Sequence, residues 1–122
     1  MTERSRAQPR IVVVGPCASG KSTLAGQLRE LGHDVRVSGQ EHSSIHNLWQ
    51  KLDHDLLIAL EIDLETLRAR RSESWPQAIY DRQQERLQGA YDVADVIIDT
   101  ANTPPDEVVA QVLAAIDAVR LS

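Results

Sequence analysis

The sequence predicts an α/β fold, a three-layer sandwich in which a short parallel sheet of about four strands is flanked by helices. Short apolar or β-branched segments alternate along the chain with longer segments of helical periodicity. Strands that alternate with helices favour a parallel sheet, because the crossover helices cover both of its faces. A length of 122 residues is sufficient for one hydrophobic core.

Four segments have the composition of strands. Residues 11–14 are apolar and β-branched throughout, as expected for a strand that is buried on both faces. Residues 34–38 alternate between polar and apolar side chains, residues 55–62 form a second strongly apolar segment, and residues 95–99 form the last strand.

The helices are predicted from leucine and valine spacing and from their end signals. Gly32 supplies a left-handed stop after the first helix. Asp63 can cap the helix that follows it, and Pro76 suits a first helical turn. The predicted helices span residues 21–31, 43–52, 64–71, 74–90 and 103 onward.

Composition and charge limit the classes of function. The net charge of −5 argues against a broad nucleic-acid-binding face. The longest strongly apolar run, residues 56–60, is too short to cross a membrane, and no signal-peptide pattern is present. One cysteine cannot form an internal disulfide, which fits a reducing cytoplasm. We expect a cytoplasmic domain over residues 11–122, preceded by a flexible arm over residues 1–10, with no nucleic-acid or membrane partner.

Residues 15–23 carry the most specific functional pattern. Gly15, Gly20, Lys21 and Ser22 match the Walker A pattern G-x-x-x-x-G-K-[ST], between a buried strand and an amphipathic helix. Glycines let such a loop wrap tightly, so that its backbone N–H groups converge on phosphates at the positive end of the helix. The pattern therefore predicts a site for a nucleoside triphosphate, with ATP expected. Its predicted residues are Gly15, Pro16, Cys17, Ala18, Ser19, Gly20, Lys21, Ser22 and Thr23.

Individual residues of this loop have expected roles. Lys21 brings a charge to the β- and γ-phosphates, the Ser22 hydroxyl is a ligand for Mg²⁺, and Thr23 contacts the α-phosphate. Cys17 is expected to be a small residue that fits a tight loop, with a redox role as the alternative.

A magnesium site needs a carboxylate besides Ser22. We favour Glu41, which follows the strand at residues 34–38, because ligands bind at the carboxyl ends of parallel strands. Asp63 is the alternative, although it can also act as a plain helix cap. Gln40 could orient a water or a substrate hydroxyl.

His42 could fill the same orienting role, and it also lies four residues before His46. The two rings could share a helix face as zinc ligands. The pattern H-E-x-x-H is absent, because Glu41 precedes the pair, so that surface histidines are favoured over a zinc site.

Arginines cluster at the end of the helix that follows Asp63. Arg68 and Arg71 are one turn apart and precede a flexible stretch at residues 72–74. Such a pair could stabilise transition-state charge on a phosphoryl group. A solvated helix end whose cations complement the helix dipole is an equal alternative.

Together with residues 15–23, the later segments resemble the nucleoside-monophosphate-kinase and shikimate/gluconate-kinase group of P-loop proteins. Residues 55–71 are similar to the strand-and-helix unit that precedes the lid of that group. The resemblance implies that Arg68, Arg70 and Arg71 close over the phosphates.

Residues 94–100 are similar to the last strand of the same group. The resemblance implies that the loop that follows, with Thr100 and Asn102, packs against the base. That group places its acceptor-binding region and its Walker B strand between the second strand and the strand at residues 55–62, where this chain has room for one short helix.

We expect a kinase-like phosphotransferase or NTP hydrolase that uses ATP or another triphosphate with Mg²⁺. Its catalytic residues are predicted to be Lys21, Glu41, Arg68 and Arg71, with a possible small-molecule acceptor near residues 38–54. The alternative is a nucleotide-dependent regulatory or accessory module with little catalysis and no small-molecule acceptor. A GTPase is disfavoured, because no Asp-x-x-Gly follows a strand.

Overall fold

The computed structural model describes residues 8–121, which form four parallel strands and four α-helices. The strands are β1 (Arg10–Val14), β2 (Asp34–Val37), β3 (Leu56–Glu61) and β4 (Val96–Asp99). The helices are α1 (Lys21–Glu30), α2 (Leu64–Arg70), α3 (Gln77–Val93) and α4 (Pro105–Leu121). None of these helices is both long and apolar enough to cross a bilayer.

The sheet has the strand order β2-β1-β3-β4, and every neighbouring pair is parallel. Val12 of β1 lies opposite Arg36 of β2 on one side and Leu57 of β3 on the other. From β1 the chain moves outward to β2, whereas from β3 it moves outward in the opposite direction to β4. In open parallel sheets, ligands bind outside the carboxyl ends of the strands at such a change of direction.

Successive residues of the central strands point to opposite faces of the sheet, and both faces are covered. Ile11 and Val13 pack with α1 and α4, whereas Val12 and Val14 pack with α3 and Trp49. These four side chains of β1 are at most 1% exposed. The α/β class and the parallel four-stranded sheet predicted from the sequence are therefore confirmed, with helices on both faces as a three-layer arrangement requires.

The predicted helix over residues 43–52 is absent; this segment contains a single 3-10 turn, at Leu48–Lys51, and a second 3-10 turn, at Gln40–His42, precedes it. Asn47 has a left-handed backbone with φ of 51°, which a continuous right-handed helix excludes. The buried Gln40 side chain donates to Ile45 O at 2.9 Å and accepts from Trp49 N at 3.2 Å. These bonds hold the segment in a compact loop.

Of the predicted flexible arm over residues 1–10, residues 1–7 lie outside the described part of the chain. Strand β1 begins at Arg10, one residue before the predicted start. The Arg10 backbone N–H donates to the Asp55 carboxylate at 2.8 Å, and the Arg10 guanidinium donates to Asp53 at 2.7 Å.

The Asp63 cap predicted for α2 is confirmed. The Asp63 carboxylate accepts a hydrogen bond from Thr66 N at 2.6 Å. The hydrogen bonds with Thr66 lower the pKa of the Asp63 carboxyl, because they favour its charged form.

Leu28 on α1 is 0% exposed within the apolar cluster between α1, α4 and the sheet. Leu28→Ala should lower the free energy of unfolding by about 2–5 kcal/mol, because it removes buried methyl groups and leaves a cavity. Urea unfolding followed by circular dichroism measures this loss. Leu31→Ala is the matched control, since Leu31 is 58% exposed, and its effect should stay within about 0.5 kcal/mol. Equal losses in the two variants would contradict the described core.

Candidate functional site

The loops that leave the carboxyl ends of β1 and β2 lie side by side, because these strands are neighbours in the sheet. They enclose a depression of about 410 Å³, here called the central depression. Every residue from Pro16 to Thr23 lines it, and Ser38, Glu41, His42 and Arg71 lie across from this loop. The tertiary fold thus brings the predicted loop together with the predicted carboxylate Glu41.

The loop wraps tightly, and its two glycines are required for different reasons. A Cβ atom on Gly15 would lie 2.6 Å from Ser19 Oγ and 3.1 Å from Leu60 O, so there is no space for a side chain. Gly20 has φ of 92°, a left-handed conformation that favours glycine. Ala18 is also left-handed, with φ of 63°. The loop therefore turns back toward the start of α1.

Among residues 8–121, no side chain caps the positive end of α1. Gly20 precedes the helix without a side-chain cap, and no acidic residue occurs in the first turn. Within residues 8–121, no acceptor is found for the backbone N–H groups of Ala18, Gly20, Lys21, Ser22 and Thr23. Unpartnered N–H groups at a helix start are a favourable location for an anion.

The Lys21 side chain bends back over the loop. Its ammonium group donates to Gly15 O at 2.5 Å, to Pro16 O at 3.2 Å and to Glu41 Oε2 at 2.5 Å. The two side chains are mostly buried, with 11% of Lys21 and 4% of Glu41 exposed. Because an unpaired buried charge is costly, Lys21 needs Glu41 or another negative group, and Glu41 needs Lys21 or another positive group.

Glu41, which was predicted to follow the strand at residues 34–38, is buried within the 3-10 turn Gln40–His42. Arg86 of α3 donates to Glu41 O at 3.2 Å, and the Gln40 side chain fixes the same turn from beneath. The carboxylate therefore has a defined position beside the loop.

Three oxygens on residues that line this depression are buried without a hydrogen-bond partner among the described residues. They are Ser19 Oγ, Ser38 Oγ and Glu41 Oε1. Buried polar atoms of this kind normally have a partner, in the protein or outside it. Carboxylate and hydroxyl oxygens are also suitable ligands for a hard cation such as Mg²⁺.

Cys17 is held by Gln83, a buried side chain of α3. Cys17 N donates to Gln83 Oε1 at 3.1 Å, and Gln83 Nε2 donates to Cys17 Sγ at 3.3 Å. Sequence reasoning did not identify Gln83. Its spacing from Leu87, which places it on the apolar face of α3, was the available signal.

The three clustered arginines have separate environments. Arg68 Nε donates to Trp75 O at 3.0 Å, and Arg68 does not line the central depression. Arg71 does line it. Arg70 joins two loops, since it donates to Ala18 O at 2.9 Å and to Thr100 O at 2.8 Å.

A second cavity, of about 270 Å³, lies on the other side of the loop, between α1 and the start of α4. Its walls combine the apolar side chains Leu24, Leu60 and Val108 with polar groups that include Thr100. Asn102, which was predicted beside Thr100, does not line this cavity, and its amide donates to Asp99 at 2.6 Å. Asp63, the alternative metal ligand, is likewise absent from the central depression.

A third depression, of about 420 Å³, lies between the loop at residues 40–46 and α3. Arg82, Arg86 and His46 are among its lining residues. His42 instead faces Cys17, with His42 Nε2 3.7 Å from Cys17 Sγ.

No protein-family model matches the chain. A comparison with curated proteins likewise finds no match. The interpretation of the central depression therefore depends on its own residues. Within the described chain these supply N–H groups without acceptors, the Lys21 ammonium group and the buried Glu41 carboxylate.

Proposed function

We propose that residues 15–23 form a P-loop that binds the phosphates of a nucleoside triphosphate, with ATP expected, in a domain of the P-loop NTPase fold. The observation that carries the proposal is that unpartnered N–H groups at the start of α1 and the Lys21 ammonium group belong to one depression. A phosphate placed there would accept hydrogen bonds from these N–H groups and from Lys21.

Binding exchanges the partners of Lys21. Without an anion, the ammonium group neutralises Glu41 and contacts the loop carbonyls. A triphosphate would draw Lys21 away and leave Glu41 as a buried carboxylate beside negative phosphates. Because like charges in a buried site repel, a cation is expected to enter together with the triphosphate.

Mg²⁺ fits the residues present. The unpartnered Glu41 Oε1 and the Ser22 hydroxyl are oxygen ligands of the type that Mg²⁺ prefers. When bound there, Mg²⁺ would neutralise charge on the phosphates. Asp63 is less suitable, since its carboxylate caps α2 through Thr66.

The same groups support transfer of the γ-phosphoryl group to an acceptor or to water. Lys21 and Arg71 would stabilise the charge that develops on the transferred group. Arg68 would have to leave Trp75 O before it could take part. A small acceptor is expected in the third depression, which Arg82, Arg86, Glu85 and Asp92 line with charges of both signs and from which Arg86 reaches Glu41 O.

The second cavity is proposed to hold the base. Apolar walls with a few polar groups are typical of sites for flat heterocycles. Thr100 lies within this wall, whereas Asn102 does not line the cavity.

The alternative function, a nucleotide-dependent regulatory module, is favoured by the way Glu41 is connected. Gln40 links the turn that carries Glu41 to Ile45 and Trp49 through two hydrogen bonds. If Lys21 released Glu41, the resulting movement of the turn would therefore be transmitted to residues 40–49, as in a switch segment.

Lys21→Ala should weaken triphosphate binding by about 100-fold or more, since charge-assisted hydrogen bonds of about 1.5–3 kcal/mol each are lost. Isothermal titration calorimetry with a non-hydrolysable ATP analogue and Mg²⁺ measures the change. Lys51→Ala is the matched control, because Lys51 is exposed and outside the central depression. Undiminished binding by Lys21→Ala would remove the basis of the proposal.

Glu41→Gln should reduce the effect of Mg²⁺ on triphosphate affinity by about 5- to 150-fold, the usual range for coupled ligands. The variant removes the negative charge that holds Lys21 and that calls for a cation. The measurement compares dissociation constants with Mg²⁺ and with a chelator. Asp63→Asn is the control and should retain the full Mg²⁺ effect. If Asp63→Asn loses this effect and Glu41→Gln retains it, Asp63 and not Glu41 is the metal ligand.

Arg71→Ala should lower ATP turnover by about tenfold or more, which corresponds to about 1.4 kcal/mol of transition-state stabilisation. Release of ADP measures turnover, and calorimetry shows whether binding changes less than the rate. Arg36→Ala, an exposed change on β2, is the control. If the wild-type protein binds the triphosphate without any turnover, the regulatory alternative replaces phosphoryl transfer.

A further inference from the structure

Three side chains with different metal-binding chemistry meet at the edge of the central depression. Among residues 8–121, Cys17 Sγ, His42 Nε2 and a Glu41 carboxylate oxygen form one group in which all ligand atoms lie within 4.8 Å of one another. Cys17 comes from the loop after β1, and the other two come from the turn after β2. Their proximity is a product of the parallel pairing of β1 and β2.

The separations suit a small tetrahedral ion. His42 Nε2 lies 3.7 Å from Cys17 Sγ and 3.5 Å from Glu41 Oε2. In tetrahedral zinc sites, ligand atoms at the usual bond lengths are about 3.4–3.6 Å apart. Both separations from His42 Nε2 agree closely with these values, and the Cys17 thiol and the Glu41 oxygen also lie within 4.8 Å of each other.

The ligand types favour Zn²⁺ over Mg²⁺ and Ca²⁺. Thiolate and imidazole are preferred by zinc, whereas the two hard cations are bound through oxygen. Three protein ligands would leave a fourth position open. His42 is 63% exposed, so that this side of the group is accessible from solvent.

Two further observations point to a ligand at this place. Glu41 is buried, and its Oε1 atom has no hydrogen-bond partner within the described chain. Oε2, the oxygen 3.5 Å from His42 Nε2, also contacts Lys21, so a cation bound at Oε2 would replace Lys21 there, and Oε1 could serve as the second oxygen of the same ligand. In addition, Gln83 donates an N–H group to Cys17 Sγ at 3.3 Å, the kind of outer contact that orients a thiolate ligand.

We propose that Cys17, Glu41 and His42 bind Zn²⁺, with the fourth coordination position open to solvent. Binding converts the Cys17 thiol to a thiolate, and the released proton passes to solvent. No change of oxidation state is involved.

One consequence of this proposal rests on the proposed function. Cys17 and Glu41 also line the depression assigned to the phosphates. Occupation by Zn²⁺ would fix the loop at Cys17 and would engage the carboxylate proposed for Mg²⁺. Zn²⁺ and the Mg²⁺–triphosphate complex should therefore weaken each other's binding by the same factor.

The primary test uses Co²⁺ as a spectroscopic substitute for Zn²⁺ in the full-length chain. Bound Co²⁺ should show a thiolate charge-transfer absorption, which is assigned to Cys17 because the chain has one cysteine. Zn²⁺ should displace Co²⁺, since it binds nitrogen and sulfur sites more tightly. Mg²⁺ should not displace it.

Variants identify the ligands. Cys17→Ser should abolish the charge-transfer absorption, and His42→Ala should weaken Co²⁺ and Zn²⁺ binding by about tenfold or more. His42 is largely exposed, so that His42→Ala keeps the test valid if Cys17→Ser does not fold. His46→Ala is the matched control and should bind both ions as the wild-type protein does.

Two results would overturn the zinc site: no charge-transfer absorption with folded wild-type protein, or equal weakening by His42→Ala and His46→Ala. Glu41→Gln provides a third arm, since unchanged Zn²⁺ affinity would remove the carboxylate from the ligand set.

Calorimetry with Mg²⁺ and the ATP analogue separates this proposal from the nucleotide function. If the analogue does not bind in the absence of Zn²⁺, the proposed function fails while Co²⁺ binding still decides the zinc site. If the analogue binds and leaves the Co²⁺ affinity unchanged, the antagonism between the two ligands is wrong.

Discussion

The contact between Lys21 and Glu41 is the interaction on which the candidate site depends. It joins the loop after β1 to the turn after β2, and both side chains are largely buried. Buried charges are stable only when they are paired, so neither group can lose its partner without a replacement. A ligand can therefore separate the pair only if it, or an ion that enters with it, supplies the charge that Lys21 or Glu41 has lost.

The proposed ligands act through this exchange. An anion would compete with Glu41 for the ammonium group, and a cation would compete with Lys21 for the carboxylate. Glu41 Oε1, which has no partner within the described chain, provides a first contact for a cation without the loss of the ion pair. Two alternative ligand sets would neutralise the charges of Lys21 and Glu41. One is the triphosphate with Mg²⁺, and the other is Zn²⁺ bound together with Cys17 and His42.

Helix α3 determines the shape of the site from the opposite face of the sheet. Gln83 fixes Cys17 in the loop, and Arg86 fixes the backbone of Glu41. On the same helix, Tyr91 donates to Leu60 O at 2.9 Å near the end of β3. Burial, with smaller effects of nearby charges, raises the pKa of Tyr91, so that the phenol remains a hydrogen-bond donor. These contacts support a loop geometry that the short strands alone could not hold.

The sequence by itself determined the features that depend on nearby residues. Burial of residues 11–14 follows from their apolar side chains. The tight loop that Gly15 and Gly20 permit follows from local sterics, and the Asp63 cap follows from a local hydrogen bond. Only the tertiary structure decided that β2 lies next to β1 and thereby places Glu41 against Lys21. Strand order depends on packing between residues far apart in the chain, and neither composition nor periodicity reports it.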